Sequence, residues 1–499
     1  MAFEVITTNP NATYEVQDTD VVTLTAGTIY SVEGDGFDAT AGGAGFELLD
    51  VTLRIFGSVY SSGRAVDFWG SLGGVDVYRN NDIFIGTTGV LSAQSYGILT
   101  EGGSNNSIVN MGTIVADIGI ETYGGLNYLI QNSGSISGLQ GNAIYIRSEI
   151  DTLGGTGTTV LNSAGGTITG MGAGGAGVSL INLSGGSVVR NWGEIHSVLD
   201  NAVNLAGVAL GQGLISVYNH GTMSGGLGSY VGSGNADYLF NRGVMSGDVV
   251  MGDGADVFNN RDGDVDGNWY GGDGTDLYSA YDDSSVTGVI DGGSGNDTLL
   301  AGNNADSISG GTGSDSINSG GGDDIIFGNN DHDTIFAGDG QDVVYGGSGN
   351  DRMWGGAGDD TLEGSTGYDV IRGGDGDDNI TGGTNGDTIY GGNGADTFIF
   401  TSVTDSPTLT VDRDRIMDFQ TGVDEFDLSG IDADAIAAGD QAFSFLGAGA
   451  FTNVAGQLRY VVAGSGTGVL SGDTNGDGIA DFVVFVSNGA ALTVNDFIL

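Results

Sequence analysis

From residue 292 to 399, apolar and polar residues return in a fixed order every nine positions, through twelve consecutive units without an insertion. The units run from GGSGNDTLL (292–300) and AGNNADSIS (301–309) to GGTNGDTIY (382–390) and GGNGADTFI (391–399). Position eight is apolar in every unit: Leu299, Ile308, Ile317, Ile326, Ile335, Val344, Met353, Leu362, Ile371, Ile380, Ile389 and Phe398. Side chains alternate across a strand, so the last three residues of a unit predict a short strand with its middle side chain turned inward. The first six predict a turn in which glycine supplies φ > 0 without strain. Where glycine is missing from the fourth position, Asn304, Asp331 and Asn385 stand there, the residue types that best tolerate that backbone region. Two units close one coil, so like turns stack at a strand spacing of about 4.8 Å and six coils span about 29 Å.

A second, looser period precedes the first. The pattern Asn-x-Gly-x-(Ile/Met) recurs at Asn110, Asn132, Asn191, Asn219 and Asn241, with a weaker copy at Asn162. Such spacing reads as coils of a parallel β-helix, with Asn stacked as an internal ladder and the aliphatic residue filling the core. A sandwich of short strands is the alternative, since glycine-rich turns are common there too. The two periods overlap: Asp237, Asp256 and Asp276 end glycine turns of the later type. The expected fold is all-β, a right-handed parallel β-helix running into a parallel β-roll with a β-rich C-terminal cap. Its expected divisions are an N-terminal cap over 1–58, the β-helix over 59–290 with the later turns appearing from about 232, the roll over 291–399, and a final domain over 400–499. After 400 the nine-residue period stops and alternating strand patterns appear, as in DFVVFV (481–486).

Composition sharpens this picture. Glycine makes up 98 of 499 residues and there are only two prolines, a share that usually signals disorder. The hydrophobic fraction of 39% is too high for a solvated coil. Cysteine is absent, which excludes disulfides and thiolate metal sites. Lysine is absent too, and the net charge is −52, which argues against non-specific nucleic-acid binding. Acids are concentrated in the second half, with 21 against six Arg in residues 1–250 and 43 against six Arg in 251–499. Residues 1–5 have no basic or apolar leader character, so no cleavable signal peptide is expected. No run of 18 apolar residues predicts a transmembrane segment.

The concentrated acids are in register. Position six is aspartate in all twelve units: Asp297, Asp306, Asp315, Asp324, Asp333, Asp342, Asp351, Asp360, Asp369, Asp378, Asp387 and Asp396. Stacked carboxylates about 5 Å apart repel by about 0.8 kcal/mol even in bulk water. Such columns need hard cations between layers, and calcium accepts carboxylate and backbone carbonyl oxygens together. Asp256 and Asp276 join the expected ligands. Asp473, Asn475, Asp477 and Asp481, with Gly478, have the oxygen spacing of the start of an EF-hand loop, although Val484 stands where that loop needs glutamate.

The repeat GGxGxDxUx resembles that of the RTX family of secreted bacterial proteins, the hemolysin-type calcium-binding repeat. The resemblance implies about ten calcium ions, each lying between neighbouring turns of one side and bound by the aspartates and turn carbonyls. The segments at 412–435, 441–447, 456–460, 472–482 and 496–499 resemble, in order, the C-terminal domain of serralysin-type proteases. That resemblance implies an extracellular protein exported through type I secretion machinery that reads the uncleaved C-terminus.

No enzyme is expected, because the protease motif HExxH and the lipase motif GxSxG are both missing. The three histidines, His196, His220 and His332, are scattered. The chain also lacks the lysines and hydrophobic helices of pore-forming RTX toxins. A β-helix followed by such repeats is also similar to mannuronan epimerases and some polysaccharide lyases. Tyr123, Tyr145, Arg147 and Arg190 are the candidates for that chemistry, although ordinary strand-face roles account for them. The expectation is a calcium-folded adhesive, matrix or surface-layer protein, with a cell-surface glycan or further copies of itself as partner.

Overall fold

The computed structural model describes short strands between Ala2 and Leu49 and, from Thr52 on, the whole chain except residues 70, 73–74, 77, 80, 102–104, 125–126, 148–156, 182–185, 207–213, 282–283, 410, 464–465 and 488–490. Two compact units emerge, one of Met1–Asp273 with Ser284–Gly288, the other of Gly274–Asp283 with Val289–Leu499. Among the described residues no helix is long and apolar enough to cross a membrane.

The first unit is a coil of three parallel sheets. A typical turn of it passes through Ser107–Asn110, Thr113–Ala116 and Ile118–Tyr123, and the next passes through Leu129–Asn132, Ser135–Gly138 and Ile144–Arg147, each strand paired in parallel with its counterpart. One inward file on the first sheet reads Ile108, Ile130, Val160, Val189, Val217, Leu239 and Phe258, in register and fully buried. Its counterpart on the second sheet reads Ile114, Ile136, Ile168, Ile195, Met223, Met245 and Val265. Each such side chain contributes about 1.5–3 kcal/mol by leaving water. The earliest strands continue the scheme: Val21–Leu24 pairs with Thr52–Ile55, Ile29–Val32 with Ser58–Ser61, and Phe37–Thr40 with Val66–Trp69. The capping role expected of 1–58 rests on side chains that lie largely outside the described residues.

The Asn-x-Gly motif has two jobs here. Nδ2 of Asn110 donates to Oδ1 of Asn132 at 2.8 Å, and the chain of bonds continues through Asn162, Asn191, Asn219 and Asn241 to Asn260 at 2.8–2.9 Å. Each of these seven residues is fully buried. Oδ1 also accepts the N–H of the glycine two residues on, as at Gly193 and Gly243. That glycine is obligatory for space: a Cβ on Gly221 would lie 2.1 Å from the carbonyl oxygen of Gly193. The ladder expected from the sequence is present, and it reaches one coil beyond the last motif, to Asn260.

Through its repeats the second unit is built from two parallel sheets in which each strand pairs with the one eighteen residues away. Thr298–Leu300, Ser316–Gly321 and Thr334–Asp339 lie side by side on one sheet, and Ser307–Thr312, Ile325–Asn330 and Val343–Ser348 on the other. The position-eight residues all point inward and are fully buried. On the outer face of the first sheet, side chains eighteen apart stand in file. The rings of Phe336 and Trp354 stack at 4.4 Å, and the Arg372 guanidinium sits between the rings of Trp354 (5.5 Å) and Tyr390 (4.7 Å).

Beyond Phe400 the chain seals the end of this roll. Arg415–Ile416 and Glu425–Asp427 add one more strand to each sheet, beside Thr388–Asn393 and Thr397–Ile399. Gln457–Val462, Gly468–Asp473 and Phe482–Val486 form an antiparallel meander whose last strand runs parallel to Arg415–Ile416. Phe398, Phe419, Phe426 and Phe497 meet over the open core, with Phe419 and Phe426 stacked at 4.6 Å. The β-rich cap expected at the C-terminus is present.

Candidate metal centre

Each nine-residue turn brings its aspartate inward beside the turn of the next layer. The backbone N–H of Asp315 donates to Oδ1 of Asp333 at 2.8 Å, that of Asp324 to Oδ1 of Asp342, and that of Asp342 to Oδ1 of Asp360. Two columns result. One runs through Asp297, Asp315, Asp333, Asp351, Asp369 and Asp387, the other through Asp306, Asp324, Asp342, Asp360, Asp378 and Asp396. All twelve carboxylates are buried. Oδ1 is thus spent on the scaffold, whereas Oδ2 is buried without a hydrogen-bond partner in every one of them except Asp306. A buried carboxylate oxygen left so costs several kcal/mol unless a positive charge meets it.

The turn backbone supplies the remaining oxygens. The second and fourth residues of the turn adopt positive φ, as at Gly347 (105°) and Gly349 (148°), and their layers stack closely. A Cβ on Gly347 would lie 2.1 Å from the carbonyl oxygen of Asn329, and one on Gly349 would lie 1.7 Å from that of Asp331. Carbonyl oxygens of one turn therefore face the next turn, and a Cβ on Gly346 would meet Oδ2 of Asp351 at 2.7 Å. Asp331 (73°) and Asn385 (81°) take the left-handed region expected of them, joined by Asn329 (77°) and Ser365 (75°) at the second position. Asn304 does not. Its turn opens the second column, and there the carboxylate of Asp306 accepts a backbone hydrogen bond from Gly302 instead.

Burial is the main force on these carboxyls, and the neighbouring aspartates add to it. Asp315, Asp324, Asp333, Asp360 and Asp378 are pushed up to about 7, and Asp369 to about 8. No three acidic or histidine side chains among the described residues converge to hold a metal by side chains alone. The oxygens the layers offer are instead the unpartnered carboxylate Oδ2 atoms and the turn carbonyls. That is an all-oxygen environment for a hard cation with a high coordination number, which fits calcium better than zinc or a thiophilic metal.

The columns are longer than the repeat. The N–H of Asp387 donates to Oδ1 of Asp414 at 2.8 Å, and that of Asp396 to Oδ1 of Asp424 at 3.2 Å. Asp414 is fully buried with Oδ2 unpartnered, and its carboxyl is held well above the usual range by burial and by Asp387. The signal was the Asp-x-apolar pattern of Asp414, Arg415, Ile416 and of Asp424, Glu425, Phe426. Insertions of nine and ten residues in the eighteen-residue pitch hid it. At the other end, the N–H of Asp276 donates to Oδ1 of Asp297 at 2.7 Å. In the first unit, Oδ1 of Asp256 accepts the N–H of Asp237 at 2.6 Å, behind glycines 252 and 254 of positive φ.

The loop at 473–481 is of a different kind. Asp473 accepts N–H bonds from Gly476 and Gly478, Asn475 accepts one from Asp477, and Oδ2 of Asp481 accepts both the N–H and the hydroxyl of Thr474. The loop closes on itself through these bonds, and none of its carboxylate oxygens is among the buried, unpartnered ones.

The remaining candidates separate in space. On the third sheet of the first unit, the Arg147 guanidinium lies 4.4 Å from the Tyr123 ring and 6.0 Å from that of Tyr145. Beside them Glu121 is buried, and its carboxyl is raised by burial despite Arg147 and a hydrogen bond from Tyr96. Arg190 is on the first sheet, 4.9 Å from the Tyr218 ring. His196 bonds Ser224 through Nδ1, His220 stacks on Trp192, and Nδ1 of His332 accepts the N–H of Asn350 one layer on.

Residues 291–326, 318–353, 327–362, 354–386 and 372–405 match the family described as RTX calcium-binding nonapeptide repeat. No curated protein matches the chain. Among solved structures, the AlgE6R2 subunit of the Azotobacter vinelandii mannuronan C5-epimerase is 25% identical, covering 33% of this chain and 91% of that one with a TM-score of 0.20. The AlgE6R3 subunit of the same epimerase is 27% identical, covering 35% and 77% with a TM-score of 0.16. Residues 291–405 are a run of RTX calcium-binding nonapeptide repeats.

Proposed function

We propose that this chain is an extracellular protein, exported by type I machinery, whose second unit orders when calcium enters the gaps between its turns, and whose role is adhesive or architectural. One observation carries the reading: two columns of buried aspartates in which, Asp306 apart, each carboxylate has one oxygen bound to the scaffold and the other without a partner. Where calcium is scarce, the cost of burying these charges opposes folding. Where it is millimolar, sites of the weak extracellular class fill, and binding and ordering become one event. Asp414 and Asp424 would close one further gap on each side, beyond the gaps within the repeats. Export rests on the ordered serralysin-like motifs after residue 412, and the adhesive role on the missing protease and lipase motifs. Circular dichroism of the full chain, with calcium and then with excess chelator, tests the coupling. The strand signal of the second unit should fall on chelation, and an unchanged spectrum contradicts the reading.

A second reading has its own observation. Glu121 with Tyr96, Tyr123, Tyr145 and Arg147 forms a cluster of titratable and cationic groups on the first unit, of the sort that general acid–base attack on a glycan requires. Incubation with uronic-acid and neutral polysaccharides tests it, with the Glu121→Gln variant as control. Product formation by the parent and not by the variant favours an enzyme.

A further inference from the structure

The first unit carries a groove that neither calcium nor the Glu121 cluster explains. It holds about 260 Å³ and runs across three coils where the first sheet turns into the second. Its floor is backbone, because Gly166, Gly193 and Gly221 stack there with no room for a Cβ. On one side stands a row in strand register, Thr167, Glu194 and Thr222. On the other stands the indole of Trp192, 44% exposed. His220 covers one side of the indole, with the rings 5.4 Å apart and 21° from parallel. In the preceding coil the register counterpart of Trp192 is the small, exposed Ser163, and the groove continues there along Gly165 and Gly166.

That combination is selective. A half-exposed indole beside a glycine floor suits a flat, weakly polar surface. A carboxylate and two hydroxyls along the opposite side suit a ligand dense in hydroxyl groups, since a carboxylate accepts several O–H bonds and threonine both donates and accepts. A sugar ring presents both, with C–H bonds on its face and hydroxyls at its edge. The charge decides which sugar. Glu194 stands in the groove, the nearby Arg242 is tied to Asp262 at 2.6 Å, and the chain carries −52 overall. An anionic ring meets repulsion here and a neutral one does not.

We infer that the groove between Trp192 and the Thr167–Glu194–Thr222 row is a binding subsite for a neutral pyranose of a polysaccharide. The site goes beyond calcium folding and does not depend on it, because every residue named lies in the first unit.

The test uses the full chain in calcium, titrated calorimetrically with cellohexaose, xylohexaose, mannohexaose and a galacturonate hexamer. At least one neutral hexasaccharide should bind saturably, and the galacturonate should bind more weakly than the best of them. Trp192→Ala should weaken that binding about tenfold or more without moving the melting temperature. Glu194→Gln should weaken it less and should narrow the preference over galacturonate. Absence of saturable binding to all three neutral oligomers, equal affinity in Trp192→Ala, or tighter binding of galacturonate would each overturn the inference. Repeating the titration in chelator separates the two readings: a second unit that stays ordered there sinks the calcium proposal and leaves the sugar result standing.

Discussion

The backbone N–H of Asp333 donates to Oδ1 of Asp351 at 2.8 Å, while Oδ2 of Asp351 is buried and unpartnered. One side chain thus does two separable things: it completes the preceding layer and offers charge to the gap between layers. Substitutions at Asp351 can divide them. Asp351→Asn keeps an acceptor for the N–H and loses the charge. Asp351→Ala loses both and strands a buried N–H, at a further cost of about 1–3 kcal/mol. Calcium titrations followed by circular dichroism should rank the midpoints as parent lowest, Asn next and Ala highest, with reduced cooperativity in Ala. Coincident curves for the two variants would refute the division.

Acidity should substitute in part for the cation. The carboxyls of Asp315, Asp333, Asp360 and Asp378 stand at about 7 against 3.8 ordinarily, chiefly through burial. A raised native pKa favours the protonated form of the folded state, so this contribution is complete below about pH 4 and is lost as pH rises through about 7. In chelator the second unit should therefore be more resistant to urea at pH 5 than at pH 8. Calcium added at pH 6.5 should release protons, measurable in a weakly buffered titration. Equal urea midpoints at the two pH values would count against it.

The array ends at Asp414 and Asp424 rather than at Asp396. Asp396→Ala should accordingly behave as an interior lesion, raising the calcium midpoint as much as Asp351→Ala does. Asp424→Ala should disturb a single layer and raise it less. If Asp396→Ala proves the milder of the two, the repeat alone bounds the array.

How much of this was written in the residues is clearest from those that differ. The twelve aspartates and their apolar partners could be read directly, because a nine-residue pitch without insertions puts identical chemistry at identical places. The asparagine ladder was visible for the same reason at a looser pitch. Asp414 and Asp424 were not, since insertions broke the spacing while the fold kept the layer. Asn329 and Ser365 in the left-handed region follow from stacking of neighbouring turns, which composition does not encode. Gly193 and Gly221 of the Trp192 groove belong to the legible Asn-x-Gly motif, whereas the stacking of Trp192 on His220 of the next coil comes from register and has no local signature.

Calcium should leave the first unit's ladder untouched. Asn191→Ala removes the Oδ1 that accepts from Asn162 and from Gly193, and removes the donor to Asn219 and to the carbonyl of Thr222. Each buried group left unpaired costs about 1–3 kcal/mol. Thermal melts should show the first unit destabilised equally with and without calcium. Recovery of the parent melting temperature on adding calcium would show that the ladder is coupled to the metal sites.

The eighteen-residue pitch of the second unit also governs what the molecule presents outward. Phe336, Trp354, Arg372 and Tyr390 stand in one outer file in strand register, while the inner files are the apolar position-eight residues and the buried aspartates. These four side chains take no part in the Oδ1 bonds that join the turns, so residues on the outer file can differ at a constant interval of eighteen while those bonds stay the same.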